Sequence, residues 1–265
     1  MQVAGDEVMT KYETIATVVS IVAVSLSILI PFVQWAWKKL VMTANVKYYP
    51  TGQATLFFNQ SGSYIRLYGV IESKRSATTI KKMSLVITRK RDDHRLNLVW
   101  SYLISPVNQS MLGSFVQTTE AAHPFRVEAD SVACAFVEYS DPFDSAGIKI
   151  RKTCSDLIPV IQQAVSGHSY DEALELFCKS PEYLGAKNTL MSDFFWEIGK
   201  YSVVVTVEYG KGKTKTFSYE FTVTEQNSMD LRTNIDESLI AKLKEHYRVP
   251  WAFKLPLVEI SEVKS

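Results

Sequence analysis

The sequence predicts a mainly β protein: an antiparallel β-sandwich with a helical insertion, carried behind a single N-terminal transmembrane helix. Three observations predict it. An uncharged apolar run of about 24 residues lies near the N-terminus. Period-two runs of aromatic and β-branched residues follow it. A stretch with helix-capping signals then separates the early runs from the late ones.

From Thr14 to Trp37 the chain reads TIATVVSIVAVSLSILIPFVQWAW, with no Asp, Glu, Lys or Arg. At about 1.5 Å per residue this run reaches about 36 Å, enough for a hydrocarbon core with some tilt. Pro31 falls near one end, where a membrane helix tolerates it. Trp35 and Trp37 stand where an aromatic belt belongs, and Lys38 and Lys39 follow at once, so these four are the expected membrane-interface anchors. A cleaved signal peptide would want a basic flank, a shorter apolar run and small residues at its end. Here the flank carries Asp6, Glu7, Lys11 and Glu13, and the run ends in Trp-Ala-Trp-Lys-Lys, which predicts an uncleaved, single-pass anchor. Lys38, Lys39 and Lys47 beyond the run place the N-terminus outside and the following domain in the cytoplasm, by the positive-inside tendency. Two sequons, Asn59-Gln-Ser61 and Asn108-Gln-Ser110, point the opposite way.

Past Val41 the periodicity changes to two. Ala54–Phe58 and Tyr64–Ile71 predict a hairpin around Asn59-Gln-Ser-Gly62, and Ile80–Thr88 and Leu96–Ile104 a second around Arg91-Asp-Asp-His94. Phe125–Val127 and Val132–Tyr139 predict two shorter strands. The clearest hairpin is late: Tyr201, Val203, Val205, Val207 and Tyr209 share one face, Phe217, Tyr219, Phe221 and Val223 share another, and Gly210-Lys-Gly212 turns the chain. Between these groups, about 155–198, lies the insertion. Ser155 is the expected cap of a helix to Val165, Ser169-Tyr-Asp-Glu172 is a capping box, and Met191–Ile198 is a short aromatic-rich helix or turn. A last amphipathic helix is expected from Asn234-Ile-Asp-Glu237 to Pro250, followed by WAFKLPLVEISEVKS as a strand or docking tail. The expected organisation is therefore a flank at 1–13, the membrane helix at 14–37, the sandwich at 43–225 and a helix with tail at 226–265.

A net charge of +1 implies no whole-chain attraction to nucleic acid or membrane, so any such contact needs a local patch. One stretch supplies it. Lys74, Arg75, Lys81, Lys82, Arg89, Lys90, Arg91 and Arg95 face only Asp92 and Asp93, and could hold anionic lipid headgroups or an acidic partner. The blander account is a solvated hairpin edge blunted by lysines.

Signatures of chemistry are missing. The chain has no GxSxG, GxxxxGK[ST], HExxH, CxxC or GxGxxG, and it calls for no cofactor. Its three cysteines, Cys134, Cys154 and Cys178, are too few and too widely spaced for a disulfide framework or a zinc site. Cys134, inside VACAF, is expected to be buried structure; a thiol nucleophile would need His123 or His168 brought near by the fold. Asp92-Asp93 and Asp141/Asp144 fall where Asp favours turns, and the Phe194-Phe195-Trp196 cluster is expected to be core or a partner groove.

In overall architecture the pattern resembles membrane-anchored immunoglobulin-like or C2-like sandwiches, with no residue-level family motif to transfer a site from. The functional expectation is a non-enzymatic, membrane-tethered binding or scaffold module that holds a protein partner, or a second copy of itself, at the cytoplasmic membrane face. Nucleic acid is not an expected partner, and a small-molecule ligand is left open. The alternatives are an enzyme with a non-local thiol site and an exported, receptor-like domain.

Overall fold

The structure, a computed structural model, describes residues 3–40, 43–111, 114–141 and 145–263. Helix α1 runs Val3–Leu40. Strands β1 (Asn45–Asn59), β2 (Gly62–Lys74), β3 (Thr78–Arg89) and β4 (His94–Met111) follow as two hairpins, β1 with β2 and β3 with β4. Next come β5 (Ser114–Ala121), β6 (Phe125–Val127), β7 (Ser131–Cys134) and β8 (Val137–Ser140). A helical layer contains α2 (Ser145–Asp156), α3 (Ile158–Val165), α4 (Tyr170–Cys178) and α5 (Pro181–Ser192). The chain ends with β9 (Gly199–Tyr209), β10 (Lys213–Val223), α6 (Glu225–His246) and β11 (Leu257–Glu262).

The immunoglobulin-like or C2-like sandwich is not what forms. Eight antiparallel strands, in the order β4-β8-β2-β1-β11-β10-β9-β3, close into a barrel when β3 pairs back onto β4. Two connections separate a barrel from a sandwich here. The β3–β4 ladder runs from Ser84↔Val99 to Arg89↔His94. On the far side β11 slots between β1 and β10, with Ala54↔Val258 on one side and Phe221↔Ile260 on the other. These pairings join what would otherwise be two sheets.

The lumen is solid. Leu56, Ile65, Leu67, Ile71, Met83, Leu85, Tyr139, Val203 and Val205 are fully buried inside it. An eight-stranded barrel is about wide enough for side chains to fill, and these do. Packing sets the identity of Gly69 on β2: a Cβ there would lie 2.7 Å from the Tyr48 ring and hydroxyl. Only hydrogen fits. Among the described residues the buried Tyr48 hydroxyl has no hydrogen-bond partner, and burial pushes both its phenol and that of Tyr139 far above their ordinary range.

The late hairpin forms as its pattern predicts, with Tyr201, Val203, Val205, Val207 and Tyr209 all buried. Gly210 and Gly212 take the positive φ values of 57° and 78° that its tight turn requires. Elsewhere local signals misplace ends. Ser155 caps nothing; it lies inside α2, which starts at Ser145, while α3 starts after Leu157 with Pro159 in its first turn. The Ser169–Glu172 capping box does open α4. Asn234 is no helix start either. Thr224 and Asn227 form the capping box of α6, and fully buried Asn234 sits mid-helix. Its side chain donates to Lys254 O at 2.8 Å and accepts from Lys254 N at 2.7 Å, clasping the extended chain that leads into β11. Glu237 adds a second clasp, pairing with Lys244 at 2.8 Å and accepting from Ala252 N at 3.1 Å.

Candidate functional site

Connectivity gives the barrel two unlike ends. One end, labelled the anchor side because α1, a helix able to cross a membrane by length and composition, leads into it, carries the start of β1, the β2–β3 turn, the β9–β10 turn, β6 and β7. The ladder pairs Asn45↔Lys74 and Ile80↔Tyr209, with the 2.9 Å Lys215 Nζ–Asn45 Oδ1 hydrogen bond, put these on one rim. The helix-side end carries the β1–β2 and β3–β4 turns, and the helical layer packs over it.

The predicted basic cluster is divided between these ends. β3 is a twelve-residue strand, so its termini lie roughly 36 Å apart. Lys74, Arg75, Lys81 and Lys82 are on the anchor-side rim; Arg89, Lys90, Arg91 and Arg95 are on the helix side. Most of the second group is occupied structurally. Arg89 is buried, pairs with Asp92 at 2.7 Å and donates to Phe195 O at 3.1 Å. Lys90 pairs with Glu220 at 2.7 Å, and Arg91 with Glu197 at 2.9 Å. The Arg89 hydrogen bonds, aided by the His94 amide, hold the Asp92 carboxyl down at about 2.

On the anchor side the bases are differently placed. Arg75, Lys81 and Lys82 are exposed, and a bulge between Ile80 and Lys82 turns both lysines outward. Lys74 is half-buried and lies 3.7 Å from Glu72. The β9–β10 turn brings exposed Lys211 and Lys213 to the same rim. Reading the sequence for clusters missed these two, because more than a hundred residues separate them from Lys74; the Ile80↔Tyr209 pair and the Gly210 N–H to Thr79 O bond of 2.9 Å bring them together.

Trp35 and Trp37 lie exposed on α1, Trp35 with its ring centroid 5.9 Å from that of Phe32. Lys38 and Lys39 continue the α1 backbone, and their side chains lie outside the described residues. By length and composition, Ile15–Trp37 is able to cross a membrane, and none of that span is buried by the other described residues.

At the helix-side end, a cleft of about 350 Å³ opens between β4 and α2, lined by Ser61, His94, Arg95, Asn97, Asp141 and Asp193 among others. Asp193 is taken by Lys149 at 2.6 Å. Under the cleft, the Phe194-Phe195-Trp196 segment plugs the barrel mouth. All three rings are buried, Trp196 Nε1 donates to Phe57 O at 2.8 Å, and Tyr201 Oη donates to Glu197 O at 2.7 Å. The cluster is core, not a groove.

No family model matches the chain, and no curated protein does. Among solved structures it is similar to a family 123 glycoside hydrolase from Clostridium perfringens, with 11% identity, covering 68% of this chain and 27% of that one, at a TM-score of 0.29. The chain thus spans about a quarter (27%) of that protein's length. So slight a likeness carries no argument about fold or activity.

For thiol chemistry the geometry offers little. Cys134 is exposed on β7 rather than buried as its apolar neighbours suggested. Burial pushes the Cys154 thiol up to about 11 and raises that of Cys178, the opposite of what a nucleophile needs. Among the described residues, no three His, Cys, Asp or Glu side chains converge as a metal site would require. Asp144 lies outside the described residues. Asn59 of the first sequon is engaged at both ends of its amide, donating to Tyr64 Oη at 2.9 Å and accepting from Ser61 N at 2.7 Å; the Asn108 side chain lies outside the described residues.

Proposed function

We propose that this chain is a membrane-tethered, non-enzymatic binding module: α1 anchors a rigid barrel to the cytoplasmic membrane face, and the helix-side end holds a protein partner or a second copy. The observation that carries it is the bare α1 span. Its large apolar side chains, from Ile15 through Trp37, lie exposed along the helix, which leaves a bilayer as their natural solvent. A packed lumen argues against a ligand carried inside the barrel. The layer above the mouth leaves Ile148, Leu176 and Leu184 exposed on three helices, as a partner surface would.

Topology is the test. A C-terminal tag on the full chain, in sealed vesicles of known orientation, should be protease-sensitive only from the cytoplasmic face. Protection there, with sensitivity from the other face, would reverse the orientation and make the barrel an exported domain. Release of the protein by alkaline carbonate would remove the anchor altogether. With the orientation established, Leu176→Asp combined with Leu184→Asp should abolish co-purification of the partner while leaving the barrel folded.

A further inference from the structure

We infer that the anchor-side rim of the barrel is a binding surface for anionic lipid headgroups, formed by Arg75, Lys81, Lys82, Lys211 and Lys213. The inference rests on α1 being an anchor, and it deepens that reading by naming what the barrel touches.

Distance comes first. α1 ends at Leu40 and β1 starts at Asn45, five residue steps that reach at most about 18 Å even when fully extended. Asn45 itself stands on the rim. With Trp37 at the membrane interface, the rim therefore lies within reach of the headgroup layer of the same leaflet, and a thick macromolecule has little room between them.

Charge comes second. Two turns far apart in sequence, with the bulge that follows the first, deliver five bases to this rim, and all five are exposed. None forms an ion pair among the described residues, in contrast to the paired Arg89, Lys90 and Arg91 at the other end. Several rim acids are already engaged. Glu72 accepts from Tyr49 Oη at 2.9 Å and lies 3.7 Å from Lys74; Glu128 pairs with Arg126 at 2.7 Å; Asp130 accepts the Arg75 N–H at 3.0 Å. Glu208, opposite Lys82 in the ladder, and Glu262, at the end of β11, are the remaining acids here. The excess is basic and turned toward the anchor.

Chemistry selects the ligand. Lysines on turns are flexible point charges, suited to phosphate and carboxylate groups of a fluid surface rather than to one fixed ligand pose. Each base near an anionic leaflet strengthens its attraction about fivefold, so five together set how closely the barrel rests on the membrane.

The experiment uses the full chain in vesicles of phosphatidylcholine alone or with about 30 mol% phosphatidylserine, read by amide hydrogen exchange of segments 73–82 and 209–215. Both segments should be protected in the anionic vesicles, unprotected in the neutral ones, and released at about 0.5 M salt, where screening is short-ranged. Replacing all five bases with Glu should abolish the protection; Lys152→Glu with Lys254→Glu, on the helix side, should leave it intact. Equal exchange in both vesicle types overturns the inference. So does protection that survives the five replacements, or retention of an RNA oligonucleotide by these bases without headgroup protection. Flotation separates the two levels: a chain that floats with neither vesicle defeats the anchor itself, whereas one that floats with an unprotected rim defeats only the lipid contact.

Discussion

Arg89 illustrates how one polar side chain joins two parts of the molecule. It sits at the end of β3, buried, with a Phe195 carbonyl on one nitrogen and the Asp92 carboxylate bidentate on two others. A buried guanidinium needs such partners, because leaving one without a counter-charge is costly. The Asp92 carboxyl is in turn held below its ordinary 3.8, at about 2, chiefly by those Arg89 hydrogen bonds. A lowered folded value means stability that is fully present above the unfolded value and is lost as pH falls from about 4 through about 2. Asp92→Asn should therefore lower the urea midpoint at pH 7, and the gap from wild type should close as pH drops through that window. A gap that stays constant with pH would show that Asp92 acts through shape alone. At this scale the sequence was partly legible. The Asp92 turn could be read from its Asp-Asp pair; the Arg89 role could not, because its Phe195 partner lies more than a hundred residues away. Asn234 misled for the same reason: Asn-x-x-Glu reads as a cap, and only the returning chain at Lys254 reveals what its amide is for.

Among the elements, β11 is the most consequential for its size. It pairs over three residues with β1 and three with β10, and among the described strands it is the one that lies between them. Where it is absent toward the anchor side, side chains span the seam: Tyr219 Oη donates to Tyr48 O at 3.1 Å, and Lys215 reaches Asn45. Val258 and Ile260 point into the core and Glu259 points out. Ile260→Ala should thus cost about 2–5 kcal/mol in urea unfolding. Glu259→Ala should stay within about 0.5 kcal/mol. Equal losses at both positions would mean that β11 is not the closing strand. The hairpins were legible because their turns and two-residue period are local. The closure was not. A sandwich and a barrel both bury one face of each strand, so the same alternation serves either, and the decision rests on β11 meeting a strand some two hundred residues earlier.

On the scale of the whole molecule, if α1 is the anchor proposed above, it and the barrel draw their stability from different solvents. Among the described residues nothing in the barrel covers Ile15–Trp37, whereas the barrel closes its own core with strands from both ends of the remaining chain. If α1 contributes no packing, its removal changes solubility without changing folding. A chain beginning at Thr43 should be soluble without detergent and should unfold cooperatively at the midpoint of the full chain in detergent. The comparison is sensitive, since a lost contact worth about 1 kcal/mol would move the midpoint by about 2–4 °C in a domain of this size. An unchanged midpoint leaves the bare helix to a bilayer or to another chain, and makes the five residue steps between Leu40 and Asn45 a tether rather than a joint. A marked drop would mean that α1 folds back onto the barrel. Its apolar surface would then belong to the core, and the anchor-side rim would be covered by protein instead of facing lipid.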